Sequence, residues 1–125
     1  LGGTFHRQVR TVADSSNAKG WGMVFGEVVN QPGRWSSYPP HHHPQPEVYL
    51  YRFDKPSGYG HAEIGEHVVK VRSHDLTLMR AGEDHAQVSA PGYAMYYLWI
   101  IRNLKDQAYD SPEFTEEHKW LLSAQ

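Results

Sequence analysis

The sequence predicts an all-β fold, a jelly roll or sandwich of antiparallel strands with one short carboxyl-terminal helix. Three observations predict it. The chain divides into roughly eight or nine short runs rich in β-branched and aromatic residues, Gly and Pro turns separate them, and helical spacing is confined to the end of the chain. A parallel sheet would need a helix between successive strands, and none is legible.

The first run, Thr4 to Val12, mixes β-branched and aromatic residues with polar ones, and Gly22 to Val29 is a second, closed by Asn30-Gln31-Pro32-Gly33. Val48 to Phe53 follows and stops at Asp54-Lys55-Pro56-Ser57-Gly58. Tyr59 to Ile64 and His67 to Arg72 flank Gly65-Glu66 and so predict a hairpin. Asp75 to Arg80 and Ala86 to Ala90 come next, then Pro91-Gly92 turns the chain into Tyr93 to Ile101. That last run is almost wholly apolar, as expected of a strand buried on both faces. The period changes only after Ser111-Pro112. Phe114, Glu117, His118 and Leu121 fall three or four apart, which predicts a helix with Ser111 as N-cap and Pro112 at its first position. Trp99 and Trp120 have apolar neighbours and are expected in the core.

With 125 residues, 39% of them hydrophobic and 21% charged, the chain fits one soluble domain spanning residues 1–125. A formal charge of -2 without a Lys/Arg cluster lacks the basic footprint that nucleic acid or an anionic membrane requires. The absence of cysteine excludes a disulfide frame, a thiol nucleophile and a thiolate zinc site. There is neither a long apolar run nor a signal-peptide core, so the expected location is cytoplasmic. The chain begins with Leu, and we expect it to be part of a longer protein.

The chemistry-bearing segment is Pro39-Pro40-His41-His42-His43-Pro44-Gln45-Pro46-Glu47, with His85 far downstream behind Gly82-Glu83-Asp84. In an extended chain, residues two apart share a face. His41 and His43 then point inward together while His42 points away. Pro44 and Pro46 cannot donate ladder hydrogen bonds and suit a bend, after which Glu47 opens the next strand beside the histidines. His41, His43, Glu47 and His85 form the expected metal set. His6, His61, His67, His74 and His118 are scattered and read as structural or solvated.

These residues also carry a family resemblance. His41-x-His43-x3-Glu47 with Gly82-x2-His85 resembles the paired signature of the cupins, small jelly-roll barrels that hold one metal near the barrel mouth. Two positions depart from it, Arg80 where Pro is usual and Asp54 where Gly is usual; neither is a ligand. The flanking segments Gly33-Arg34-Trp35-Ser36-Ser37-Tyr38, Glu47-Val48-Tyr49-Leu50-Tyr51-Arg52-Phe53 and His85 through Tyr97 are similar to the 5-deoxy-glucuronate isomerase family of inositol catabolism, which also includes the pectin-pathway uronate ketol-isomerase. The resemblance runs from near residue 2 to about residue 103. Members usually have two cupin-like halves, and the chain resembles the metal-binding carboxyl-terminal half.

The resemblance implies an aldose-ketose isomerase that converts 5-deoxy-glucuronate to 2-deoxy-5-keto-gluconate, a small sugar acid being its partner. Three imidazoles and a carboxylate leave one open position on zinc, or two adjacent ones on six-coordinate manganese, iron, cobalt or nickel, which suits a hydroxy-carbonyl chelate. Alternation outward from the ligands aims Trp35, Ser37, Tyr49, Tyr51, Gln87 and Ser89 at the cavity. Tyr49 or Tyr51 is expected to relay a proton or hold a hydroxyl, Glu47 to act as base, and Gln87 to bind substrate. The substrate carboxylate calls for a guanidinium. Arg34, on a turn, is the candidate, whereas Arg52 points away. Exposed strand edges predict a homo-oligomer. Two other readings share the ligand set: an iron-dependent cupin dioxygenase, and a module that binds sugar or metal without chemistry.

Overall fold

The computed structural model describes residues 1–124. Ten strands precede a terminal 3-10 helix: β1 (Arg7–Ala13), β2 (Met23–Asn30), β3 (Trp35–His42), β4 (Glu47–Phe53), β5 (Tyr59–Ile64), β6 (His67–Arg72), β7 (Leu76–Met79), β8 (His85–Ser89), β9 (Met95–Arg102), β10 (Glu113–Phe114) and the helix Glu116–Leu122. They form two five-stranded sheets, ordered β1-β2-β9-β4-β7 and β10-β3-β8-β5-β6. All their strand pairs are antiparallel.

Period-two alternation decides which face of each sheet is buried. Along β4, Glu47, Tyr49 and Tyr51 are buried while Leu50 and Arg52 are exposed. The core between the sheets collects Val28, Tyr49, Tyr51, Met79, Met95 and Tyr97 from the first and Ala62 and Val71 from the second. Burying side chains of this size contributes roughly 1.5–3 kcal/mol each relative to exposure, and this is what holds the two layers together. Glycine is required where strands pack this closely, as at position 26. Gly26 on β2 is paired with Trp99 on β9, and a Cβ there would lie 2.4 Å from the Arg10 carbonyl and 2.5 Å from the Trp99 ring.

Several expectations need correction. The helix does not start at Ser111-Pro112. Those residues lead into β10, which pairs Glu113 with His42 and Phe114 with His41, and the helix begins only at Glu116. Pro112 fixes φ at a value that extended chain also accepts, and pairing with β3 satisfies backbone groups that a free helix end would leave open. Thr115 fastens the segment by donating both its N–H and its hydroxyl to the Pro40 carbonyl. Trp120 is 64% exposed rather than core, whereas Trp99 packs half-buried against the core. β9 has one inward face, bearing the buried Met95, Tyr97 and Ile101 and the half-buried Trp99. Its other face is only half-covered, because Tyr96, Leu98 and Ile100 lie on the outer side of the sheet. It also starts at Met95, since the N–H of Tyr93 closes a turn onto the Ala90 carbonyl.

Candidate metal centre

The bend between β3 and β4 and the turn before β8 meet at one point. Arg80 to Glu83 form a turn in which the Glu83 N–H donates to the Arg80 carbonyl and the Glu83 carboxylate accepts the Arg80 N–H. Gly82 sits at φ +77°, where a side chain is strained. Its own N–H donates to the His43 carbonyl at 2.9 Å, which fastens the His85 turn to the histidine segment.

Each inward imidazole is oriented by a backbone carbonyl two residues away. Nδ1 of His41 lies 3.1 Å from the Pro39 carbonyl, Nδ1 of His43 2.8 Å from that of Gln45, and Nδ1 of His85 2.9 Å from that of Glu83. A carbonyl oxygen only accepts, so each Nδ1 carries a proton and each ring turns its Nε2 elsewhere. For His43 and His85 that direction is the Glu47 carboxylate, whose Oε2 is 3.0 and 3.1 Å away. Both rings and the carboxylate are buried. Nε2 of His85 has no hydrogen-bond partner.

Two imidazole nitrogens this close to one buried carboxylate call for positive charge among them, a ring proton shared with Glu47 or a metal ion. The donor atoms of His43, Glu47 and His85 lie within 4.8 Å of one another. Neighbouring ligands around an ion with bonds of ~2.1 Å stand roughly 3.0–3.4 Å apart, so the measured separations suit a first-row metal. His41 lies beside this group without belonging to it, its ring centroid 4.6 Å from that of His85. Burial, reinforced by the neighbouring His85, pushes the His41 pKa down to about 4, so that it is a neutral, ligand-ready imidazole near neutral pH. Burial works to raise the Glu47 carboxyl, but the His43 and His85 rings outweigh it and hold the group below the ordinary carboxylate range. His42 points the other way, with Nδ1 2.6 Å from Asp84 and Nε2 3.3 Å from Glu113.

A cavity of about 240 Å³ adjoins the cluster, with His41, His43, Glu47 and Tyr49 in its wall. The Tyr49 hydroxyl is 3.0 Å from Ser37 Oγ. Burial and the nearby Glu47 raise its pKa well above the ordinary phenol value, so it stays protonated. Tyr51 and Gln87 lie behind the wall. The Tyr51 hydroxyl donates to Gln87 Oε1 at 2.6 Å and lies 3.1 Å from Thr77 Oγ1, while Gln87 Nε2 reaches Ser37 Oγ at 3.4 Å. Of the residues counted before the histidines, Ser37 lines the cavity and Trp35 does not. The ladder between β3 and β8 is interrupted between Ser36 and His41, and Ser37 takes φ +52°, so both Ser36 and Ser37 reach the Tyr97 hydroxyl. Arg34 is exposed and borders a separate hollow with Gly3, His6, Gln31 and Pro32. Arg52 is exposed and contacts His74.

Sequence reasoning missed much of the wall, and four of those residues bear directly on the site. Tyr109 packs edge-on against His43 at 5.0 Å, Phe114 covers His41 at 5.7 Å, and Arg7 and Trp99 line the cavity from the opposite sheet. None has a local motif. Only the closing of the sheets brings them to the metal residues.

The KduI/IolB family model matches residues 2–121. The chain belongs to the KduI/IolB family. Among curated relatives it is 29% identical to 5-deoxy-glucuronate isomerase of Shouchella clausii, over 94% of this chain and 48% of that protein. The chain thus spans about half the length of the curated relatives it matches. An IolB-like protein from Salmonella typhimurium superposes with a TM-score of 0.81 at 21% identity, covering 93% of this chain and 48% of that one. A cupin-like protein from Thermotoga maritima gives 0.66 at 18% identity, covering 90% and 80%. The fold is therefore a cupin jelly roll of two antiparallel sheets.

Proposed function

We propose that the chain is the metal-binding half of an aldose-ketose isomerase that acts on a deoxy uronic acid, 5-deoxy-glucuronate being the substrate. The observation that carries this reading is the buried, unpartnered His85 Nε2 facing Glu47 beside His43, in a member of the KduI/IolB family. His41, His43, Glu47 and His85 would hold one divalent ion, zinc, manganese, iron, cobalt or nickel. When bound there, the ion supplies polarisation of the substrate carbonyl and stabilises the negative charge that builds up as the neighbouring carbon loses its proton.

The chain's own groups divide the remaining work. Glu47, ionised, would leave the ion to take the proton from the carbon beside the carbonyl and return it to the former carbonyl carbon, while the proton of the neighbouring hydroxyl moves to the former carbonyl oxygen. Tyr49, protonated and facing the cavity, donates a hydrogen bond to a substrate oxygen. Tyr51 and Gln87 support it from behind, since the Tyr51 hydroxyl fixes Gln87 and Gln87 in turn reaches Ser37, the partner of Tyr49. The chain covers 48% of a curated relative, which supports its being one half of a two-cupin protein, and its His-x-His metal motif supports the carboxyl-terminal half. No helix among the described residues is long and apolar enough to cross a membrane, and we read the enzyme as cytoplasmic. Exposed apolar side chains on the outermost strands, Val9 and Val12 on β1 with Leu76 and Leu78 on β7, support a homo-oligomer.

Metal analysis followed by turnover of 5-deoxy-glucuronate with and without chelator tests the reading on the intact parent protein. Stoichiometric metal with chelator-sensitive isomerisation is expected. Metal without isomerisation would sink it, and oxygen uptake dependent on bound iron would replace it with a dioxygenase.

A further inference from the structure

We infer that Arg7 binds the carboxylate of the substrate at the side of the cavity away from the metal residues. The inference rests on the isomerase reading and adds the recognition of the acid group.

Such a substrate has two chemically different ends. One is the hydroxy-carbonyl that reacts, the other a carboxylate that does not. A site selective for the acid needs a fixed cation placed apart from the imidazoles, and a guanidinium suits it because its planar fork matches both carboxylate oxygens. Among the described residues that line the cavity, Arg7 carries the one permanent positive charge.

Its placement is that of a preset receptor. Arg7 begins the edge strand β1 on the ladder row of Asn30, whereas Glu47 lies on the row shared by Ile101 and Val24, so the rows are six residues apart on β2 (Val24 to Asn30). Arg7 and Val9 are two apart on β1 and both line the cavity. Nη1 of Arg7 donates to the Phe5 carbonyl at 3.0 Å, and the guanidinium lies 5.7 Å from the Phe5 ring centroid. These contacts hold the head group and leave its other N–H donors free. Arg7 is half-buried and has no ion-pair partner among the described residues. A partly desolvated cation without a counter-charge is costly unless an anion arrives to pair with it.

Polar groups lead from this cation to the metal residues. Burial raises the Tyr97 phenol, and hydrogen bonds from Ser36 and Ser37 together with the charge of Arg7 pull it part of the way back. Tyr97 lies 3.4 Å from Ser37 Oγ, Ser37 lies 3.0 Å from the Tyr49 hydroxyl, and the Tyr49 ring is 5.8 Å from that of His85. A hydroxylated chain laid between the two ends would pass hydroxyl after hydroxyl.

The test compares 5-deoxy-glucuronate with its neutral analogue, in which CH2OH replaces the carboxylate, using the metal-loaded parent protein. Wild type is expected to prefer the acid, in binding by calorimetry and in kcat/KM. Arg7→Gln should reduce that preference roughly 10- to 100-fold, chiefly through KM for the acid, and Arg7→Lys should restore part of it. Equal binding of acid and alcohol by wild type would overturn the assignment, as would an Arg7→Gln protein that loses both compounds in parallel. An Arg7-dependent preference for the acid without any turnover would keep the carboxylate site and reject the isomerase.

Discussion

The three inward histidines share one device. Each donates Nδ1–H to a carbonyl two residues away, so the sequence neighbour that shapes the bend also fixes the tautomer and aims Nε2 into the cavity. His42 belongs to a different set, held between Asp84 and Glu113 at the joint of β3 and β10. Removing a ligand and removing this joint should therefore differ. His85→Ala is expected to weaken metal binding on the order of 100-fold or more, and His42→Ala by less than about 10-fold, measured by competition with a chromophoric chelator. Equal losses would show that the wrong histidines have been assigned.

At the level of elements, the cavity depends on strands that contribute no ligand. β2 and β9 approach closely enough at Gly26 for the Trp99 ring to lie over the glycine, and that ring forms part of the wall. A methyl at this position meets the β1 backbone as well as the indole, and backbone cannot rotate away. Gly26→Ala is expected to cost about 1–3 kcal/mol in denaturant unfolding and to lower substrate affinity through the displaced Trp99, with little change in metal content. Unchanged stability would mean that β1 peels from β2 without cost. β10 shows the same dependence on context. Its two residues pair with β3 and place Phe114 over His41.

For the molecule as a whole, the candidate metal residues join the two layers, since Glu47 opens β4 in one sheet while His85, and His41 beside it, lie on β8 and β3 in the other. An ion held there binds only the folded chain and stabilises it by mass action, so saturating metal should raise Tm by on the order of 10 °C over the chelated protein. The chelated protein should also be acid-sensitive. His41 takes up its proton near pH 4 when folded and near its ordinary value of 6.5 when unfolded, so the unfolded chain binds more protons between those values. Stability of the metal-free chain therefore falls as pH drops from about 6.5 towards 4, and is unaffected by this group above 6.5. Thermal melts across that range check the sign, and a melting temperature that rises on acidification would contradict it.

The sequence by itself determined the all-β class, most strand positions, and the cluster of His43, Glu47 and His85. Strand alternation and turn chemistry act over a few residues, so Pro-His-x-His and Gly-x2-His carry their geometry with them. Beyond that range it had little to say. The interrupted ladder between Ser36 and His41, the strand where a helix was expected at Glu113, and the burial of Tyr51 and Gln87 behind the wall follow from pairing across the sheets. Arg34 lies near the motif in sequence and borders another hollow, while Arg7 lies far from it in sequence and lines the cavity. Only the tertiary structure shows which of them lines the cavity, because an edge strand is positioned by the sheet it joins, through hydrogen bonds to residues distant in the chain, and not by its own sequence pattern.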